Sequence, residues 1–309
     1  MPAPDQITLL SLCRIPDLNW NLIAREAMRP DGLDLLLKGE FTEEPATTEA
    51  RTAIQEAKPR LKTMREEVKR MVTPLLESGA RLTTVLDKDY PLNLREIFNR
   101  PPFLFYRGQL REDDAVSVAV VGTREPTEDG VKRARRMAKM LAERNVTVLS
   151  GLARGIDTAA HRATLDAGGR TIAVLGSGLN KIYPPENDDL AQQISKRGAV
   201  VSQFWPDAPP IQFNFPRRNV TMSGLGQGTV VIEASATSGA KMQARLALEH
   251  GKKVFLLESL VDTREWARKY LKRGAIKVSK AEEILKLLRS SEEIRARTRQ
   301  TYQVSLTFK

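Results

Sequence analysis

Residues 214–219, Asn-Phe-Pro-Arg-Arg-Asn, place two guanidinium groups side by side where the sequence predicts the start of a helix, near Arg217. Cations are disfavoured at that end of a helix, because the macrodipole already places partial positive charge there. Adjacent arginines are favoured there if guanidinium groups and backbone N–H groups hold an anion together. Phe213 and Phe215 lie beside them and are suited to stacking on nucleobases. The alternative is that one arginine of the pair binds Glu233 and that both phenylalanines belong to the core.

Three further loops each add a cation to the predicted anion site. Arg124 and Arg154 lie in glycine-containing loops that follow strand-like runs, and Lys241 opens a helix after another such run. Because loops that follow parallel strands meet at one edge of a sheet, we expect these cations to share one rim. The sequence therefore predicts a track for an extended polyanion, which comprises Arg124, Arg154, Arg217, Arg218 and Lys241 beside Gly122, Ser238 and Gly239.

Catalytic groups are harder to find in the sequence than cations. Ser150, Asp157 and His161 superficially suggest a nucleophile triad. However, Asp157 and His161 lie one helical turn apart, a spacing that serves helix pairing and an N-cap at Asp157 equally well. The chain lacks the G-x-S-x-G elbow, the G-x-G-x-x-G fingerprint and the P-loop. Its two histidines and one cysteine are too few for a typical zinc site, so we expect no bound metal. Because the catalytic and nucleotide-binding motifs are missing as well, we expect no catalytic residue and no cofactor.

The elements that position these residues alternate between apolar runs and helix-period segments. Residues 118–121, 146–149 and 171–175 are strand-like, and glycines follow each run. Helix-favouring segments separate them, which is typical of βαβ units and a parallel sheet covered on both faces. Ligands of such sheets bind beyond the carboxyl ends of the strands. The sequence therefore predicts an α/β fold whose predicted site lies at that edge.

The pattern of residue types along the 309-residue chain predicts three regions. Residues 1–80 are predicted to be a small all-helical N-terminal domain, in which 48–77 carries one apolar stripe at helical spacing. Residues 81–289 alternate strands and helices, with a predicted helix at 263–272. Residues 290–309 form a polar, basic tail, which we expect to be frayed or a partner-dependent arm.

Charge and cysteine usage limit the classes of function. The net charge is +11, and residues 241–309 carry seventeen Lys and Arg against eight Asp and Glu, a surplus of nine. Such a surplus favours a polyanionic partner, although a solubilising surface explains it equally well. The single Cys13 suits a reducing cytoplasm, and no apolar run is long enough to span a bilayer. The amino terminus shows no secretory signal, so we expect a cytoplasmic protein.

Six motifs in order carry a resemblance to a known family. They are D-x-D-Y-P-x-x-L-R-E-I at 87–97, P-P-F-L-F-Y-R-G at 101–108, V-G-T-R-E-P-T-E-D-G at 121–130, S-G-L-A-R-G-I-D-T-A-A-H at 150–161, T-I-A-V-L-G-S-G-L-N-K-I-Y-P-P-E-N at 171–187 and N-F-P-R-R-N at 214–219. Together they resemble the DNA-processing protein A (DprA, also called Smf) family from about residue 82 to 257.

The resemblance implies an extended Rossmann-like domain that binds and protects single-stranded DNA without cleaving it. It also implies loading of the RecA recombinase during natural transformation or DNA recombination, and a homodimer. By matching position, it implies DNA contacts at Arg124, Arg154, Lys181, Phe215, Arg217, Arg218 and Asn219, with Gly122, Ser150, Gly151 and Gly155 as backbone donors.

The chain departs from the family pattern in three places. Where the family usually reads S-G-S-L-I/T-T, residues 238–243 read Ser-Gly-Ala-Lys-Met-Gln. After Phe255, residues 256–259 (Leu-Leu-Glu-Ser) stand in place of the family's proline-glycine turn, and the charged helix predicted at 263–272 follows them. The N-terminal helices lack the glycines of a helix-hairpin-helix module. Family dimer and RecA-contact surfaces lie toward the divergent end of the core.

Two other functions remain open on the same fold. A phosphoribohydrolase-like enzyme would use G-G-x-G-T-x-x-E, whereas this chain has one glycine fewer in the run at 226–229 and three residues before Glu233. A sensor of a small nucleotide ligand is the third reading. Free-base release from a nucleoside monophosphate would identify the enzyme, and competition between a mononucleotide and an oligonucleotide would identify the sensor.

Overall fold

Nine strands form one sheet in the computed structural model of the protein, which describes residues 1–42 and 47–297. The spatial order is β1-β2-β6-β5-β4-β3-β7-β8-β9. The seven strands from β6 to β9 in this order are parallel, while β1 and β2 add antiparallel pairs at one edge. The strands are β1 (Arg81–Thr84), β2 (Phe103–Gly108), β3 (Ser117–Val121), β4 (Thr147–Ser150), β5 (Thr171–Val174), β6 (Ala199–Ser202), β7 (Gly228–Val231), β8 (Lys253–Leu257) and β9 (Ile276–Val278).

The predicted parallel-rich α/β sheet is confirmed, and its central strands are apolar for a physical reason. Every residue of β3, β4 and β5 is buried, because helices cover both faces of a parallel sheet. Strand order reverses beside β3, which pairs with β4 on one side and β7 on the other. A crevice opens beyond the carboxyl ends of the strands at such a reversal.

Fourteen α-helices accompany these strands in the described residues, five of them before β1. The first five are α1 (Pro4–Leu12), α2 (Trp20–Ala27), α3 (Gly32–Lys38), α4 (Thr47–Ala57) and α5 (Leu61–Glu77). The others are α6 (Leu92–Arg95), α7 (Glu128–Ala142), α8 (Ile156–Asp166), α9 (Asp188–Arg197), α10 (Asn214–Leu225), α11 (Gly239–Glu249), α12 (Glu258–Thr263), α13 (Glu265–Leu271) and α14 (Ala281–Leu285).

The predicted helical stripe over 48–77 is divided between two helices. A 3-10 turn at Lys58–Arg60 separates α4 from α5, because Pro59 lacks the N–H that a continuous α-helix requires. The predicted stripe still faces inward, since Ile54, Val68 and Val72 are fully buried.

Two other helix boundaries also differ from the prediction. The predicted helix at 263–272 is divided, since α12 ends at Thr263 and α13 begins at Glu265. The helix predicted to begin near Arg217 begins three residues earlier, at Asn214. In the predicted tail, 291–297 are helical and Ile294 is buried, whereas 298–309 lie outside the described residues.

Buried apolar side chains form two clusters on the two sides of the sheet. The larger cluster runs from Leu9 in α1 through β2 to Ala244 in α11, so the N-terminal helices share a core with the sheet. The smaller cluster lies under α7 and α8 and includes Leu141. Within the described ranges, no helix combines the length and apolar character that crossing a membrane requires.

Candidate nucleic-acid interface

A cavity of about 330 Å³ opens beyond the carboxyl ends of β3 and β7, between α10 and the start of α11. It lies where the reversal of strand order predicts a ligand site. Half of the predicted site residues line it: Gly122, Arg124, Phe215, Arg218, Asn219, Ser238 and Gly239. The N-cap of α11 is Ser238, whose hydroxyl accepts from the Lys241 N–H at 3.3 Å.

Arg218 forms the floor of this cavity rather than its surface. Its side chain is 7% exposed, and Nη1 donates to the carbonyls of Gly151 at 2.6 Å and Val174 at 2.9 Å. Nε donates to Asn219 Oδ1 at 3.0 Å. Burial lowers the pKa of the Arg218 guanidinium, and the nearby Asp157 carboxylate opposes that shift. Arg218 therefore joins the loop after β4 to the end of β5 and adds positive charge beneath the cavity.

Asp157 does not cap α8 as the sequence predicts. The helix begins at Ile156 with Gly155 as its N-cap, and Asp157 lies in the first turn. Its Oδ2 accepts from the Gly151 N–H at 3.1 Å and from the Ala153 N–H at 3.4 Å. Burial raises the pKa of Asp157, although Arg218 and the two N–H groups oppose the rise. The carboxylate thus closes the loop after β4, and the Gly151 N–H is not available to a ligand.

Arg124 is the exposed cation at the mouth of the cavity. Its guanidinium lies over the Phe215 ring, 5.4 Å from the centroid, and it has no ion pair among the described residues. The Tyr183 ring lies 6.1 Å from the Phe215 ring and is 39% exposed. Tyr183 is not among the residues that the sequence predicts for the site, although its position before Pro184 and Pro185, in the loop after Gly176 and Gly178, is a signal in the sequence. These rings and the guanidinium form a surface suited to a base and a phosphate.

Arg154 lies beside this surface, but its charge is already engaged. Its Nε donates to Glu186 Oε1, and both side chains are exposed. Hydrogen bonding to Glu186 raises the pKa of Arg154 and lowers the pKa of the carboxyl. Exposed ion pairs contribute little and are screened by salt, so a phosphate can compete for Arg154.

Arg217 points away from the cavity, toward the N-terminal helices. Its guanidinium lies 4.8 Å from the centroid of the Trp20 ring and 5.4 Å from that of Phe204. The side chain keeps an exposed edge, yet contact with the rings removes part of its hydration and lowers its pKa. The predicted single line of cations is therefore divided between the cavity and this second location.

The remaining predicted cations differ in how free they are. Lys241 Nζ donates to the Ala236 carbonyl at 3.0 Å, so it turns back onto its own loop. Lys181 is exposed after β5, and its side chain has no ion pair in the part of the chain that the structure describes. The alternative pairing of Arg217 or Arg218 with Glu233 is absent from the described residues. Arg217 lies over the Trp20 ring, Arg218 donates to backbone carbonyls, and Glu233 accepts from the Thr127 hydroxyl at 2.9 Å.

Ser150, Asp157 and His161 do not form a catalytic triad, because each of them is hydrogen-bonded to a different group. Ser150 is fully buried, and its hydroxyl donates to the Val120 carbonyl at 2.7 Å, so it is not available to a ligand. His161 Nδ1 lies 2.7 Å from Thr171 Oγ1, and burial lowers the pKa of His161 to about 3. The described residues contain no group of three or more His, Cys, Asp or Glu side chains placed to hold a metal ion.

The run at 226–229 lies at the wrong edge of the sheet for a phosphate site. Gly228 is the first residue of β7, whereas the cavity lies beyond the other end of that strand. Glu233 lines a separate cavity with Thr127 and Arg133. This placement argues against the phosphoribohydrolase-like use of these residues.

Comparison with known proteins gives a consistent result. A family model described as DNA recombination-mediator protein A matches residues 81–289. Protein Smf of Escherichia coli (strain K12) is 44% identical over 202 residues, which cover 64% of this chain and 54% of that protein. DNA processing protein DprA of Streptococcus pneumoniae (strain ATCC BAA-255 / R6) is 38% identical over 204 residues, 65% of this chain and 72% of that protein. The match thus spans about half the length of the Escherichia coli relative.

Solved structures agree with the sequence matches. The X-ray structure of DNA processing protein A from Streptococcus pneumoniae superposes with a TM-score of 0.76 at 28% identity, covering 94% of this chain and 99% of that one. DNA processing protein A from Helicobacter pylori, described for its single-stranded DNA binding mode, gives a TM-score of 0.59 at 26% identity and covers 67% and 94%. The resemblance predicted from the six motifs is thereby confirmed. Since the family model spans more than half of the 309 residues, the chain belongs to the DNA recombination-mediator protein A family.

Proposed function

We propose that this protein binds single-stranded DNA at the cavity between α10 and α11 and does not cleave it. The observation that carries the proposal is Arg124, an exposed guanidinium on the Phe215 ring at the cavity mouth, without a carboxylate partner among the described residues. The proposed site also includes Gly122, Gly155, Lys181 and Arg154. Further residues of the proposed site that line the cavity are Arg218, Asn219, Ser238 and Gly239. The Helicobacter pylori relative is described as a single-stranded DNA binder, which supports the proposal.

The wider role belongs to the same proposal. The protein would protect the strand and promote RecA loading in DNA uptake or recombination, as a homodimer in the cytoplasm. Membership of a recombination-mediator family supports this role. The absence of a placed nucleophile among the described residues supports binding without catalysis, because Ser150 and His161 are fully buried and held by other partners.

Fluorescence anisotropy with oligo-dT at several salt concentrations tests the proposal. Arg124→Ala should weaken binding and reduce the log–log salt slope by about 0.7, the contribution of one phosphate contact to a single strand. Arg136→Ala on α7 is the matched control, since Arg136 is exposed and has no ion pair in the described ranges. Arg218→Ala is unsuitable, because the buried guanidinium joins the loop after β4 to the end of β5.

Two results would overturn the proposed function. One is wild-type protein that fails to bind oligo-dT, or that prefers duplex to single strands. The other is release of a free base when the protein is incubated with nucleoside monophosphates, which would favour the enzyme.

A further inference from the structure

A second aromatic and cationic surface lies where the N-terminal helices meet the sheet. The Trp20 ring, at the start of α2, lies 5.1 Å from the Phe103 ring of β2 and 6.2 Å from the Trp205 ring. Arg217 lies 4.8 Å over the Trp20 ring, and Arg14 lies 5.7 Å over the Trp205 ring. Two arginines from distant parts of the sequence thus lie over two neighbouring indoles.

Both guanidinium groups are available to an anion. Arg14 and Arg217 are exposed, and neither has an ion pair or a side-chain hydrogen bond within residues 1–42 and 47–297. A guanidinium group carries five N–H donors, and a ring beneath it accepts none of them as a lone pair would. Because neither arginine donates a side-chain hydrogen bond to the described residues, these donors can bind a phosphate. Arg154 is different, because Glu186 already accepts from it.

The surface is held in place from below. The Trp20 indole N–H donates to the Cys13 carbonyl at 2.9 Å, and Phe103 beneath it is fully buried in the sheet. Both indoles keep a partly exposed surface. A rigid platform needs little ordering when a ligand binds, which favours affinity.

The geometry points to a subsite for single-stranded nucleic acid formed by Arg14, Trp20, Trp205 and Arg217. Guanidinium groups beside partly exposed indoles match the alternation of phosphate and base along a single strand. A duplex keeps its bases stacked inside and cannot use the rings. This inference rests on the proposed function and extends it, because it makes the N-terminal helices part of the binding surface.

Arg14→Ala in the full chain tests the cationic half of the subsite. Oligo-dT affinity should fall, and the salt slope should decrease by about 0.7. Trp20→Leu should weaken binding about tenfold, because it removes a stacking surface and the support of Arg217. Arg14 is exposed, so its variant tests the subsite even if Trp20→Leu lowers the stability of the fold.

Intrinsic fluorescence supplies an independent readout, because the chain has three tryptophans. Oligo-dT should quench the tryptophan fluorescence of the wild-type protein and of Trp266→Phe. Trp266 packs on Tyr270 in α13 and does not belong to the proposed subsite. Quenching should be lost in the double variant Trp20→Phe, Trp205→Phe.

The outcomes separate this subsite from the proposed function. If Arg124→Ala weakens binding while Arg14→Ala keeps the wild-type affinity and slope, the subsite is overturned and the proposed function stands. If the wild-type protein does not bind oligo-dT, both are overturned.

Discussion

An arginine at a DNA-binding surface acts through whatever its guanidinium group already contacts. Arg124 lies over the Phe215 ring and has no ion pair within the described ranges, whereas Arg154 forms an ion pair with Glu186. Arg218 donates hydrogen bonds to backbone carbonyls beneath the cavity. In the proposed site we therefore assign these arginines different roles: Arg124 contacts the strand, Arg154 exchanges Glu186 for a phosphate, and Arg218 supports the cavity.

His161 gives a residue-scale prediction about pH. Its pKa falls from 6.5 to about 3 on folding, because the buried imidazole is out of water and close to Arg218. The unfolded chain therefore takes up the proton first as the pH decreases below 6.5. The contribution of His161 to the free energy of unfolding is fully present above about pH 6.5 and is lost progressively as the pH falls toward 3. Between about pH 7.5 and about pH 5, this loss lowers the free energy of unfolding by about 2 kcal/mol.

Urea denaturation of wild-type protein and His161→Gln at both pH values measures this difference. The glutamine does not titrate, so the pH dependence of its free energy of unfolding should be smaller by that amount. His250 titrates in both proteins and cancels. Equal pH dependence in the two proteins would contradict the assignment of a buried neutral imidazole.

Among the secondary-structure connections, the loop between β4 and α8 positions the loop that carries Arg124. Gly155 caps α8 with φ 74° and ψ −121°, a conformation that residues with a Cβ rarely adopt. A Cβ there would lie 2.5 Å from the Thr123 carbonyl oxygen. The Ile156 N–H donates to that same oxygen at 3.2 Å, so this loop and the Arg124 loop are tied together.

Gly155→Ala should therefore lower the free energy of unfolding and weaken oligo-dT binding together. Backbone strain alone costs about 1–3 kcal/mol, and the clash with the Thr123 carbonyl adds to it. Gly168→Ala is the matched control: its φ is also positive, at +72°, but no heavy atom lies within 4 Å of its added Cβ. Urea denaturation and anisotropy check both variants, and equal effects would refute the role of the close approach.

At the scale of the whole molecule, the N-terminal helices and the sheet share one apolar cluster. Leu9 of α1 and Ala244 of α11 belong to the same buried group, and Trp20 packs directly on β2. The domain boundary at residue 80 remains a prediction from the pattern of residue types in the sequence. The shared core indicates that the two regions unfold together.

We expect one thermal transition, coincident by far-ultraviolet circular dichroism and by tryptophan fluorescence. Leu9→Ala in the larger cluster and Leu141→Ala in the smaller one should each shift that transition, at a cost of about 2–5 kcal/mol. Two separate transitions, of which Leu9→Ala moves only one, would show that residues 1–80 unfold independently.

Much of this arrangement is predictable from sequence, because it depends on local periodicity. Buried runs such as 118–121 predict parallel strands, and the glycine-containing loops after them predict the edge where the cavity lies. The break at Pro59 follows from local chemistry as well. The motifs at 87–219 were sufficient to predict the family.

The fold class, the family and the sheet edge that carries the candidate site are all predictable from the residues alone, because strand and helix patterns depend on residues close together along the chain. Only the tertiary structure decided which cations face solvent. Arg217 and Arg218 are adjacent in sequence, yet one stacks on Trp20 and the other is buried against Gly151. Adjacent residues on a helix point about 100° apart, so their partners come from different, distant segments that no local pattern encodes.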